Sequence, residues 1–195
     1  MRTRQLSITT VLWLLAACTP LLADTISVQP VAPTVTVGQT FTLSVEMSGA
    51  TDLYGFQFDL GFNPTVLMAT SVTEGAFLGT GGPTIFVPGT IDNVGGSITA
   101  NADILNGAVS GVNGSGDLLD VTFQALSGGS SSVQIFNLFA LNSFGQGLTV
   151  NTASSTVTVS GVSSVPEPGT DLLLTAGVLG LLAFLRLRPS QSASA

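Results

Sequence analysis

Thr40 to Met47 (TFTLSVEM) and Tyr54 to Phe62 (YGFQFDLGF) decide the fold. In the first, Phe41, Leu43, Val45 and Met47 alternate with Thr40, Thr42, Ser44 and Glu46. In the second, Phe56, Phe58, Leu60 and Phe62 alternate with Gln57, Asp59 and Gly61. Successive side chains of a strand point to opposite faces, so a period of two with one apolar set describes a half-buried strand. Outward from this pair, further strands are expected at 26–30, 34–37, 66–73, 84–88, 97–102, 118–126, 132–140 and 156–160. Turn residues separate them: Gly38, Asn63-Pro64, Gly81-Gly82-Pro83, Gly95-Gly96, Asn106-Gly107 and Gly128-Gly129. No stretch of a dozen residues in this body keeps a helical stripe. About nine short strands so spaced predict an all-β sandwich or jelly roll over 24–161. Ten of the eleven Phe residues fall in this body, most on the apolar beat, and are expected to fill the core.

The charge pattern is as informative. Only 8% of the 195 residues are charged, and the net charge is -7. A soluble domain normally carries about a quarter, so solubility here falls to Ser, Thr, Asn and Gly. The basic residues are Arg2, Arg4, Arg186 and Arg188; between Arg4 and Arg186 there is none. Each flanks an apolar run, and positive charge beside such a run marks the cytoplasmic side of a membrane. A body without Lys or Arg cannot neutralise phosphates, which excludes nucleic acid as a partner.

Residues 1–23 read as an export signal: Arg2 and Arg4, an apolar run from Leu6 to Leu15, then small residues. Two processing schemes stay open. Ala23 could end an ordinarily cleaved signal, or Leu15-Ala16-Ala17-Cys18 could be a lipoprotein box with Cys18, the one cysteine, as the lipidated residue. Neither leaves a disulfide in the body. At the other end, Leu172 to Leu185 (LLLTAGVLGLLAFL) is apolar all round and precedes Arg186 and Arg188. As a helix it extends about 21 Å, short of a ~30 Å hydrocarbon core, yet it has no polar face and arginines that can snorkel follow it. It is read as a short transmembrane helix with its basic stop over 172–188, after a linker at 162–171 and before a tail at 189–195. The linker holds Pro166-Glu167-Pro168. Motif, apolar helix and basic cluster in this order resemble the PEP-CTERM sorting signal. The resemblance implies an exosortase as processing partner, with Pro166, Glu167 and Pro168 as its recognition element. It implies export across the inner membrane of a Gram-negative bacterium, transient anchoring, and delivery to the cell surface or beyond.

The body carries a second resemblance. Val37-Gly38-Gln39-Thr40 opens a strand; Leu53-Tyr54-Gly55-Phe56-Gln57-Phe58-Asp59-Leu60 follows; then come Phe62-Asn63-Pro64-Thr65-Val66-Leu67 and Ser71-Val72-Thr73-Glu74-Gly75. With Gly116-Asp117-Leu118-Leu119-Asp120-Val121-Thr122-Phe123 downstream, this resembles the cohesin domain over about 26–160. Gln39 stands where that family has an acidic residue, and Phe62-Asn63 where it has Tyr-Asp. The resemblance implies a non-catalytic module with a dockerin, a calcium-stabilised helical domain, as partner. The Asn63-Pro64 corner has a structural reason of its own, since Asn bonds nearby backbone and Pro fixes φ.

The body offers little chemistry. With no His and no Lys there is no general base for an acyl-transfer triad. One Cys and no His make a Cys/His metal site impossible. Asp59, Asp92, Asp103, Asp117 and Asp120 could in principle supply a glycosidase pair, but they read as solvated strand or turn positions, and no enzyme is expected. Asn101, Asp103, Asn106, Asn113, Asp117 and Asp120 are oxygen-rich without the spacing of a calcium loop and read as solubilising loops, so no cofactor is expected. Gly114-Ser115-Gly116 precedes no helix that would cradle phosphate. The leading expectation is a cohesin-like interaction module; the alternatives are a carbohydrate-binding sandwich and a structural component of a polysaccharide matrix. Sugar platforms use exposed Trp or Tyr, and the body has only Tyr54.

Overall fold

A computed structural model describes residues 24–30, 34–161 and 170–186. The chain divides into two compact units, Met1–Gly161 and Val162–Ala195. The expected signal segment with Cys18, the Pro166-Glu167-Pro168 motif and Arg188 lie outside the described residues.

The first unit is all-β. Its strands are β1 (Thr25–Pro30), β2 (Thr34–Thr36), β3 (Thr40–Gly61), β4 (Leu67–Glu74), β5 (Thr84–Val87), β6 (Thr90–Asp92), β7 (Ser97–Leu105), β8 (Val112–Ala125), β9 (Gly129–Asn142), β10 (Asn151–Ala153) and β11 (Ser155–Ser160), with a one-turn helix α1 (Ala76–Gly79) after β4. Every strand expected from the sequence forms, with shifted ends. The two deciding stretches are not separate strands, however, but one β3 of 22 residues.

β3 serves both layers of the sandwich. Its first half, Thr40 to Val45, lies between β8 and β1, and β8 carries β4 on its far side. Its second half, Gly55 to Gly61, lies between β7 and β9, and β7 carries β5 and β6. The first residues of β9 pair with β11, which in turn holds β2. The strand passes between layers where Gly49 and Asp52 take left-handed backbone (φ 79° and 57°). There the ladder lapses and side chains take over its hydrogen bonds. Gly49 N–H donates to Ser115 Oγ at 3.0 Å and Asp52 N–H to Asn113 Oδ1 at 3.0 Å. The Asp52 carboxylate accepts from Gly111 N–H at 2.8 Å and Ser143 Oγ at 2.8 Å.

The inward beats of β3 meet those of β8 in the core. Phe123 stacks on Phe41 at 6.0 Å and takes Phe62 edge-on at 5.3 Å; Phe56 and Phe58 stack at 5.5 Å. Phe41, Phe56, Phe58, Phe62, Phe77 and Phe123 are buried, as expected, whereas Phe136, Phe139 and Phe144 are exposed. The Asn63 corner is structural: Asn63 Oδ1 accepts from Thr65 N–H and Oγ1, and Asn63 C=O accepts from Leu67 N–H at 2.9 Å.

In the second unit the expected apolar helix forms as α2 (Thr170–Arg186), ending on Arg186. Its 17 residues extend about 25 Å. Among the described residues no helix is long and apolar enough to cross a membrane.

Phe58 and Phe123 are fully buried. Truncation of a buried Phe costs about 3–5 kcal/mol, a large share of the ~5–15 kcal/mol that holds a domain folded. Phe58→Ala and Phe123→Ala should each move the urea midpoint sharply downward or abolish the folding transition, whereas the exposed Phe144→Ala should leave it within error.

Candidate functional site

The layer formed by β5, β7, the second half of β3 and β9 has an outer face, and that face is apolar. Ile85 and Val87 of β5, Ile104 of β7 and Phe139 of β9 are 38–55% exposed. With Leu141 they line a shallow groove of about 270 Å³, floored by Gly55, Gln57 and Ala102. Gly55 is there for close approach: a Cβ on it would sit 3.0 Å from Ile104 Cγ1. Gly61 likewise lies under the Phe136 ring, 3.2 Å from where its Cβ would be. Small residues in the centre strand let large apolar side chains of its neighbours lie across it.

This face exists because two strands lose their alternation midway. In β7, Ile98 points inward and Thr99 and Ala100 are both exposed; Asn101, Asp103 and Leu105 are then inward. Phe58 pairs with Asn101 but Leu60 with Ile98, so β7 has one residue more than β3 over this step. In β9, Val133 and Ile135 are inward, Phe136 and Asn137 are both exposed, and Ala140 is inward. Gln57 pairs with Phe139 and Asp59 with Phe136, again one residue more. Each is a β-bulge, and a one-residue shift turns every following side chain to the other face. Ile104 and Phe139 are outward for that reason.

Bulges also correct the reading of Asn101 and Asp103 as solvated positions at the strand expected over 97–102. Regular alternation would put Ile98, Ala102 and Ile104 inward and leave Asn101 and Asp103 in solvent. Instead Asn101 is fully buried and Asp103 is 1% exposed. Asn101 earns its place by bonding: its amide donates to Phe58 C=O at 3.2 Å and Ile98 C=O at 3.0 Å and accepts from Gly89 N–H at 3.2 Å. Asp103 Oδ1 accepts from Ile104 N–H at 2.9 Å, while the buried Oδ2 meets no donor and the protonated carboxyl bonds to the Glu74 carboxylate. Burial, with the Glu74 carboxylate facing it, pushes Asp103 up to about 6. Glu74 itself accepts from Thr84 Oγ1.

Three other carboxylates also bond within the fold. Asp59 Oδ1 accepts from Ala100 N–H and Oδ2 from Asn137 Nδ2, both at 2.7 Å. Asp92 accepts from Gly95 and Val94 N–H in a turn, which lowers its pKa, and Asp120 accepts from Ser44 Oγ at 2.6 Å. The oxygen-rich residues weighed for calcium are not drawn together: Asn101 is spent inside the sheet and Asn113 on Asp52. Among the described residues no three Asp, Glu, His or Cys side chains are grouped as a metal would need. Tyr54 bonds its hydroxyl to Gly107 C=O, an arrangement that holds the ring to the domain rather than offering it to a sugar. The outer apolar face was invisible in the sequence; the nearest signal was the run of Phe136 and Phe139 three apart, out of step with any one strand face.

A family model described as the cohesin domain matches residues 26–165. Among solved structures, a non-cellulosomal cohesin from the archaeon Archaeoglobus fulgidus is similar over 71% of this chain and 91% of its own, at 16% identity and TM-score 0.57. A type I cohesin–dockerin complex from Clostridium thermocellum is similar over 71% and 99%, at 9% identity and TM-score 0.59. The sixth cohesin of scaffoldin B from Acetivibrio cellulolyticus, in complex with a mutant dockerin, is similar over 71% and 99%, at 15% identity and TM-score 0.58. No curated protein matches the chain.

Asp103 gives this layer a pH dependence of known sign. Its folded-state pKa of about 6 lies above the ordinary 3.8, so the folded chain holds this proton more tightly than the unfolded one. Its contribution to stability is complete below the ordinary value and is lost as pH rises through about 6. Asp103→Asn should therefore raise the melting temperature at pH 7.5 more than at pH 4.5, compared with wild type at the same pH in parallel thermal melts.

Proposed function

The chain belongs to the cohesin domain family, and from that premise we propose that it is an exported, non-catalytic docking module whose outer β5–β7–β3–β9 face receives a dockerin-type helical partner. Cohesin domains are non-catalytic interaction modules, and solved cohesins of this fold are held in complexes with dockerins. The observation that carries the reading is the groove of Ile85, Val87, Ile104, Phe139 and Leu141 on a sheet face. Large apolar side chains exposed together on one face are the usual mark of a binding surface. An apolar centre set in a body without Lys or Arg fits a partner that presents apolar anchors within a basic rim, whose charge would speed the encounter. A sugar platform has less support, because Tyr54 is engaged and the exposed rings of the face are Phe.

Export and sorting are the other part of the proposal, and their support is in the sequence. Arg2 and Arg4 precede one apolar run; Pro166-Glu167-Pro168 and a second run precede Arg186 and Arg188. The order is that of a PEP-CTERM signal, for which an exosortase would be the processing enzyme and the surface or matrix of a Gram-negative bacterium the destination. A helix of 17 residues would hold in a bilayer by local thinning and by arginines reaching for the headgroups.

Isothermal titration of the protein with recombinant calcium-loaded dockerin modules tests the docking. Binding is expected, and Phe139→Ala or Ile104→Asp should weaken it by roughly 30-fold or more, as for a central anchor worth ~2 kcal/mol, while Phe144→Ala leaves it unchanged. Failure of every dockerin in such a panel, or tight binding indifferent to both face substitutions, would overturn the reading.

A further inference from the structure

We infer that Asp59 is the positioning residue of the docking face: its one carboxylate holds the two bulges, at Ala100 in β7 and Asn137 in β9, that turn Ile104 and Phe139 outward. The inference rests on the proposed docking only for the use of the face; the positioning itself is a matter of register.

Three observations converge. First, both bulged residues have left-handed backbone, with φ 59° at Ala100 and 51° at Asn137. Alanine has no side-chain bond to offset that conformation and resists it, so something outside β7 must hold it. Second, Asp59 lies in the centre strand where both pairings shift, between Phe58 and Leu60 toward β7 and between Gln57 and Asp59 toward β9. Third, its oxygens are divided between the two neighbours: Oδ1 takes the Ala100 N–H, and Oδ2 takes the Asn137 side-chain amide. A bulge leaves ladder groups without partners. On the inner side Asn101 supplies them for β7; on the outer side Asp59 does.

The alternative register is a real competitor. Without its bulge β7 would turn Ala100, Ala102 and Ile104 inward and release Asn101 and Asp103 to solvent, giving up the burial of Leu105 and the present seat of Phe86, which pairs with Asp103. β9 would bury Phe139 and Leu141 in place of Leu138 and Ala140, with Asn137 turned inward beside them. Hydrophobic burial alone therefore does not choose the observed register, and hydrogen bonds to a fixed acceptor do. No Lys or Arg exists in the domain to compete for that carboxylate.

The test reads register by thiol labelling. Residues 24–161 contain no cysteine, so the full chain carrying Cys18→Ser is a silent background. Ile104→Cys should react at least ten-fold faster than Leu105→Cys, and Phe139→Cys at least ten-fold faster than Ala140→Cys. Adding Asp59→Ala should collapse or invert both ratios. Asp59→Asn should keep them, since its oxygen can accept from Ala100 N–H and its amide can donate to a turned Asn137. Ala100→Gly together with Asn137→Gly should restore them on the Asp59→Ala background, because glycine takes left-handed backbone freely. A dockerin module that binds the parent should lose and regain affinity in the same order. Ratios unchanged by Asp59→Ala would overturn the inference, and so would a failure of the glycine pair to restore them, including the case in which Asp59→Ala alone does not fold. The labelling needs no partner, so a failed docking experiment and a failed positioning experiment are told apart.

Discussion

A strand that belongs to two sheets must satisfy its backbone along both edges, over its whole length, with different neighbours in each half. That constraint organises this domain. β3 runs 22 residues, and its partners change from β1 and β8 to β7 and β9 as it passes from one layer to the other. The passage is largely exposed, and side chains act there as substitutes for the ladder. Asp52, Asn113, Ser115 and Ser143 provide them, drawn from the start of β8 and the end of β9. The polar residues of these stretches, which look like loop decoration, are the splice between the layers.

The same economy recurs in the outer layer. Asp59 and Asn101 lie on opposite faces and close the same bulge from outside and inside. A domain with 8% charged residues has few carboxylates, and several are committed to backbone N–H groups rather than to ion pairs. This is consistent with a body devoid of basic side chains, where amides and hydroxyls are the donors that remain. Much of the acidity of the domain then belongs to its internal wiring.

How much of this was legible follows from which interactions are local. Alternation in 40–47 and 54–62 depends on one strand and one core, and it was read correctly as half-buried β-structure. The Asn63-Pro64 corner closes on Thr65 and Leu67 within four residues, so its role could also be read. The continuity of β3 could not, because Gly49 and Asp52 look like a turn until their partners sixty and ninety residues away are known. Nor could the inversion of β7 and β9: Asn101 and Asp103 sit on a polar beat, and only an acceptor on a different strand makes that beat face inward. The outer face was lost with them, since Ile104 and Phe139 belong to the core in any reading that keeps the alternation. The cohesin resemblance, carried by the strand and corner residues, identified the sandwich without locating the apolar outer face.

The confinement of the basic residues, all of them Arg, to the two ends has one more consequence. Proteases that cut after basic residues find no scissile bond between Arg4 and Arg186, folded or not. Resistance to such proteases does not depend on the stability of the fold. The same property leaves the stretch between Arg4 and Arg186 as a single large fragment in a tryptic digest, without a lysine amine for crosslinking.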